Sequence, residues 1–142
     1  NFFLDCLRPV MLASDTAGPN EKPCVPIRDI TFSEIHAKGR WTSSFFGNAD
    51  CNTRNIRIDN SVFEYSGGED IPQNLPEEHG IGEFGKYRTG DSALQFQNIQ
   101  GLRLNHVTVR WNEISGPWKK AIKTINVSDA EFRDCELPDA KP

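Results

Sequence analysis

The sequence predicts an all-β chain wound as a solenoid, in which short strands stack turn upon turn as the coils of a parallel β-helix. Three observations predict it. Strand formers and turn residues dominate, with nine Phe, eleven Gly and nine Pro beside a single Met in 142 residues, and no segment sustains apolar residues at helical spacing for three turns. In the best-formed stretch, 94–111, apolar residues fall at Leu94, Phe96, Ile99, Leu102, Leu104, Val107 and Val109. Pairs two apart mark a strand, because alternate side chains share a face. Each pair then ends in a three-residue step, as if the chain bends and starts another short strand facing the same interior. The third observation is that this pattern recurs.

The spacing of Leu102, Leu104, Val107 and Val109 reappears in Ile30, Phe32, Ile35 and Ala37, in Ile56, Ile58, Ser61 and Phe63, and in Ile125, Val127, Ala130 and Phe132. Ile27, Thr53, Ile99 and Ile122 stand three residues before these starts, and Phe2, Leu4 and Leu7 form a weaker copy at the beginning. The starts at 30, 56, 102 and 125 are 26, 46 and 23 residues apart. The middle gap is either two turns of about 23 residues or one turn with an insertion. Repeats of this length suit a solenoid whose coils pair at about 4.8 Å, like side chain over like. An antiparallel sandwich also yields short strands at 8–12-residue spacing. The matching offsets and the lack of Asn-Gly or Asp-Gly hairpin turns favour the coil.

Taken in order, the weak copy opens the chain and 13–26, rich in Pro, Gly and charge, reads as a loop. The copy at Ile30 follows, then an irregular stretch, 39–51, holding Trp41, Phe45 and Phe46. After the copy at Ile56 comes the longest irregular part, 66–92, with eight glycines and prolines spaced through it from Gly67 to Gly90. A loop that long in a compact domain calls for a functional explanation. The copies at Leu102 and Ile125 follow, and 137–142 reads as a frayed tail. The whole chain, 1–142, reads as a single β-helix segment with an inserted loop at 66–92. Its net charge of −4, with both signs mixed throughout, opposes nucleic acid as a partner. No apolar run approaches membrane-spanning length.

Particular motifs give these repeats a resemblance. Pro26-Ile27-Arg28-Asp29-Ile30-Thr31-Phe32-Ser33-Glu34-Ile35, then Arg54-Asn55-Ile56-Arg57-Ile58 running into Tyr65-Ser66-Gly67-Gly68, resemble the C-terminal coils of glycoside hydrolase family 28, the polygalacturonases and their relatives. The loop 76–87, the stretch 94–109 after it and the opening 2–10 are similar in order and spacing, so the resemblance covers nearly the whole chain. It implies a right-handed, single-stranded parallel β-helix of the pectin-lyase-like kind, of about five coils. It also implies an inverting hydrolase of pectin-type galacturonans without a cofactor, secreted or periplasmic, in which an acid protonates the leaving oxygen and opposed carboxylates activate water. The family's ordered set of Asn-x-Asp, Asp-Asp, Gly-His-Gly and Arg-x-Lys is missing here. Asn48-Ala49-Asp50 matches by letter only, Glu78 precedes His79-Gly80, and Arg57-Ile58-Asp59 has an acid in place of the lysine. The resemblance therefore implies scaffold and substrate groove, with catalytic carboxylates on preceding β-helix coils of the same protein. A non-catalytic carbohydrate-binding or adhesion β-helix is the alternative.

Candidate sites follow from residue type. Glu77-Glu78, near Glu69-Asp70, could couple so as to poise one carboxyl as an acid; a solvated acidic loop is the favoured explanation. Glu77, Glu78, His79 and Tyr87, with Glu83, are the residues placed to touch a polysaccharide lying along the coil face. His36 and His106 adjoin inward positions, so they face outward or line a coil edge, and neither has metal-ligand spacing. Trp41, Phe45, Phe46, Trp111 and Trp118 either stack on sugar rings or cover the core's flank. Lys119, Lys120 and Lys123 either meet a uronate or form a solvated turn. Asn126-Val127-Ser128 is an N-glycosylation triplet whose asparagine should face out.

The four cysteines, Cys6, Cys24, Cys51 and Cys135, form no Cys-x-x-Cys and no zinc pattern. Cys24 lies six residues before Ile30 and Cys51 five before Ile56, which puts them near each other on adjacent coils at a span suited to a disulfide. The one-residue offset could instead turn the two side chains to opposite faces. A bridge would fit an oxidising, extracytoplasmic location. Peptide mapping should find a Cys24–Cys51 cross-linked pair that separates on reduction; an unchanged map would exclude it.

Overall fold

The computed structural model describes residues 2–5, 8–13, 27–47, 53–68 and 91–141. Eight strands run through them: β1 (Phe2–Asp5), β2 (Met11–Ala13), β3 (Arg28–Ser33), β4 (Ile35–Gly39), β5 (Ser43–Phe46), β6 (Thr53–Gly67), β7 (Ser92–Ile114) and β8 (Lys120–Arg133). All pair in parallel within one curled sheet, ordered β1-β4-β6-β7-β5-β2, with β3 also on β6 and β8 also on β7. The sheet curls because its longest strand bends. The first part of β7 pairs with β5 at Leu94–Ser43, and the remainder pairs with β6 from Ile99–Thr53 to Ile114–Gly67.

The bends have a backbone cause. Ten non-glycine residues among those described have positive φ, between 48° and 58°. Each stands immediately before a residue that resumes the inward pattern: Asp29 before Ile30, Glu34 before Ile35, Asn55 before Ile56, Asn60 before Ser61, Asn98 before Ile99 and His106 before Val107, with Glu113, Asn126, Asp129 and Asp134 in the same role. One left-handed residue rotates the chain and adds a residue to the strand period, which turns a step of two into a step of three. Left-handed φ costs an ordinary L-residue about 1–2 kcal/mol, less for Asn and Asp, whose short polar side chains bond locally. Seven of the ten are Asn or Asp. At the corner column Asp29, Asn55, Gly101 and Asp129, the glycine has φ 84°, and a Cβ there would stand 2.9 Å from Asn55 Oδ1.

Register then stacks the inward side chains. Ile30, Ile56, Leu102 and Ala130 form one column, and Phe32, Ile58, Leu104 and Phe132 the next. Ile56, Ile58, Leu102 and Leu104 are fully buried, each contributing about 1.5–3 kcal/mol by leaving water. Ser61 occupies an inward position by satisfying both its hydroxyl functions, accepting from Ile35 N at 3.1 Å and donating to Asp59 O at 2.8 Å. Amides bridge the rungs at the corners: Asn126 Nδ2 donates to Asn98 Oδ1 at 2.8 Å, and Asn98 Nδ2 donates to the Gly47 carbonyl at 2.9 Å.

The structure revises several sequence expectations. Residues 30, 56 and 102 align as expected, and because β6 lies directly on β7 the 46-residue gap is one turn with an insertion. The last copy is shifted. Leu102 pairs with Ala130 and Leu104 with Phe132, so Ile125 lies opposite Gln97 and the final spacing is 28 residues. Length patterning alone cannot detect this, since the intervening turn absorbs five residues without disturbing the apolar pairs. The irregular stretch 39–51 contains β5, whose Phe45 stacks on Phe96 at 4.7 Å between centroids. The tail is tied down through residue 140. Glu136 bridges to Thr108, Trp111 Nε1 donates to Pro138 O at 2.8 Å, and Ala140 N donates to Lys119 O at 3.0 Å.

Replacing Asn98 should separate the conformational and bonding contributions of a corner. In urea denaturation, Asn98→Gly should lose about 1 kcal/mol from the amide bonds, and Asn98→Val about 1–2 kcal/mol more for its left-handed φ. Equal losses would refute the role given to the bend.

Candidate functional site

Alternation that sends Ile56, Ile58, Leu102 and Leu104 inward sends Arg57, Asp59, Arg103 and Asn105 outward, where rung-by-rung pairing sets Arg57 beside Arg103 and Asp59 beside Asn105. Glu131 and Arg133 extend the two columns on β8. With the corner residues Asn60, His106 and Asp134 they line an open groove of about 610 Å³. A shallower hollow of about 300 Å³, reaching Asp29, Thr31 and Asn55, shares Arg57 and Arg103 with it.

The groove is a lattice of charge pairs. Arg57 Nε donates to both oxygens of Asp59, at 2.9 and 2.7 Å, and Asn105 Nδ2 donates to Asp59 Oδ1 at 2.9 Å. Arg103 donates through a terminal nitrogen to both Asp129 oxygens at 3.1 Å and sets Nε 3.4 Å from Glu131. Glu131 is also bonded by Arg133 Nε. His106 Nε2 lies 3.6 Å from Asp134. Three guanidiniums, Arg57, Arg103 and Arg133, thus face three carboxylates, Asp59, Glu131 and Asp134, and the lining is balanced in charge with His106 neutral. Both Arg57 bonds run through Nε, so among the described residues its terminal amino groups are uncommitted.

Asp59 is the most enclosed of the ion-paired carboxylates here, its side chain 19% exposed. Burial pushes its carboxyl up, but hydrogen bonds from Asn105 and Arg57 and the adjacent guanidinium charge together outweigh burial and hold it below 3.8. That is the wrong direction for a general acid, which needs a raised value. What the groove offers chemically is hydrogen-bond donors and acceptors set side by side along the sheet.

The structure distributes the sequence candidates unevenly. Glu77, Glu78, His79, Glu83 and Tyr87, together with Cys24 and Cys51, lie outside the described residues. Among the aromatics, Phe45 and Phe46 are buried. Trp118, 7% exposed, donates Nε1 to Gly67 O at 2.9 Å, and it packs with Trp111 and Tyr65 at 5.3 and 5.2 Å. These rings cover the core's flank. Trp41 is half-buried, with the Arg8 guanidinium 6.0 Å from its ring. Lys120 pairs with Asp139 at 2.8 Å and Lys123 with Asp91 at 3.8 Å, which leaves less of a basic patch than the sequence suggested. His36 faces outward, its Nε2 2.9 Å from Glu64 on the neighbouring rung. Asn126 is exposed, as expected of the triplet. Sequence reasoning missed the groove, although its signal was present: Ile-Arg-Ile at 56–58 and Leu-Arg-Leu at 102–104 put an arginine at the same outward offset in two copies.

The lowered carboxyl value of Asp59 contributes stability that is fully present above 3.8 and lost as pH falls through the lower folded value. In urea titrations, the stability gap between the parent and Asp59→Asn should therefore shrink below about pH 4. A gap that widened on acidification would overturn the assignment.

Comparison with known proteins adds no name to this geometry: no family model, no curated protein and no solved structure matches the chain.

Proposed function

We propose that this chain is a segment of a right-handed parallel β-helix like those of family 28 glycoside hydrolases, forming scaffold and one wall of a groove for a pectin-type polysaccharide. Parallel strands at three lines around the curl, each meeting its counterpart one turn later, support the helical winding. Right-handed crossover between parallel strands is the rule in about 98% of cases. The observation that carries the functional reading is the pair of stacked arginines, Arg57 over Arg103, in an open groove of about 610 Å³. Neighbouring strands lie about 4.8 Å apart, so the two arginines stand on successive rungs, and a guanidinium binds a uronate carboxylate in bidentate fashion.

Under this reading hydrolysis is the work of carboxylates on preceding coils, because Asp59 is held ionised by its neighbours. The protein would meet its polymer in a secreted or periplasmic setting. The alternative is a carbohydrate-binding or adhesion module without catalysis. The charge-balanced lining favours that alternative to the extent that it suits holding a sugar chain rather than cleaving it.

In affinity electrophoresis through gels containing polygalacturonate, the parent chain should be retarded. Arg57→Ala should weaken that retardation about tenfold, the loss expected for a hydrogen bond to a charged group. A parent chain that ignores the polymer, or an Arg57→Ala variant retarded equally, would remove the proposal. Release of reducing ends by the protein carrying its preceding coils would distinguish a hydrolase from a binding module.

A further inference from the structure

The last rung of the stack repeats a surface that the chain already covers once. β8 pairs with β7 along one side; on the other, the tail reaches its start, where Asp139 accepts from Ala121 N, and among the described residues no strand pairs with the rest. Its inward columns end in the open: Ala130 is exposed, and Phe132 is 44% exposed although the residues beneath it, Ile58 and Leu104, are fully buried. At the corners stand two carboxylates with left-handed φ, Asp129 at 53° and Asp134 at 51°. Their side chains are 69% and 75% exposed.

The same four positions occur on β3 as Asp29, Ile30, Phe32 and Glu34, with φ of 58° and 56° at the two acids. There the covering strand is present. β6 lays Ile56 over Ile30 and Ile58 over Phe32, and its two corner asparagines donate to the acids: Asn55 Nδ2 to Asp29 Oδ1 at 2.9 Å and Asn60 Nδ2 to Glu34 Oε1 at 3.0 Å. β8 therefore presents a strand edge, an apolar pair and two carboxylates at the spacing that β6 satisfies on β3.

We propose that the outer edge of β8 docks an extended strand of another polypeptide, parallel to β8, with apolar residues over Ala130 and Phe132 and asparagine amides over Asp129 and Asp134. Main-chain hydrogen bonds would supply affinity and the corner amides selectivity, as in β-strand addition generally. Charge decides against a second copy of this chain as occupant. Head-to-tail stacking in the same register would set β3 on β8, with Asp29 against Asp129 and Glu34 against Asp134, and directly opposed like charges in paired strands are destabilising. Asp129, bonded from its own side by Arg103, and Asp134, beside His106, keep most of their surface open, and charged residues at a bare edge discourage indiscriminate pairing.

The test uses a fluorescent peptide with the sequence of residues 53–62, Thr-Arg-Asn-Ile-Arg-Ile-Asp-Asn-Ser-Val, and anisotropy at neutral pH with this chain. The peptide should bind saturably. A version with Asp in place of its first and last Asn should bind at least about tenfold more weakly, the equivalent of one charge-assisted hydrogen bond. Phe132→Ser in the chain should weaken the parent peptide's binding, and this variant also distinguishes β8 from the exposed side of β3. Asp129→Asn with Asp134→Asn should abolish the preference between peptides while leaving Phe132 in place, so one variant suffices if the other fails to fold. Equal binding of the two peptides, indifference to Phe132→Ser, or dimerisation of the parent chain that blocks the peptide would each overturn the proposal.

Discussion

One backbone constraint organises this structure: at most of its bends a residue in left-handed φ stands just before the inward pattern resumes. Without it a strand of period two would run straight, and the sheet would not curl around a common core. With it, β7 can change partners from β5 to β6 and still present Phe96, Ile99, Leu102, Leu104 and Val107 to the same core. Asn and Asp recur at these positions because they accept that conformation at least cost. Their side chains then meet a rung above or below, as Asn126, Asn98 and the Gly47 carbonyl do. The bend is thus both a conformational requirement and a bonding site between coils.

Parallel register carries the consequence from one strand to the next. Because each residue lies over its counterpart, the chemistry of a position is repeated along a line. Inside, the repetition produces aliphatic columns. Outside, it brings Arg57 to Arg103 and Asp59 to Asn105, and a groove arises from residues 46 positions apart. At the corners it produces acid over amide, Asp29 with Asn55 and Glu34 with Asn60. The groove and the β8 edge are therefore products of the same rule, one on the flank of the stack and one at its end.

The charge pairing of the groove limits what it can do. Arginines that bind neighbouring carboxylates are held in place, which favours a ligand by removing the cost of ordering them. The same pairing keeps Asp59 ionised and so withdraws it from proton donation. The tail makes a comparable contribution to packing. Leu137 and Ala140 lie against the core, and the Trp111–Pro138 bond ties the crossing to the aromatic cluster of Tyr65, Trp111 and Trp118.

Local chemistry by itself determined the all-β class, the step of two and three, and the alignment of Ile30, Ile56 and Leu102, since these depend on side-chain alternation and on residues that tolerate left-handed φ. It also placed Asn126 outside, and His36 and His106 either outside or at a coil edge, as their exposed side chains bear out. Only the tertiary structure decided the register of β8, the pairing of β5, the anchoring of the tail and the assembly of the groove. The reason is that apolar spacing measures distance along the chain, whereas register is set across it. The turn between β7 and β8 is longer than the repeat implied, and hydrogen bonding between rungs, not residue count, chose Ala130 to lie on Leu102.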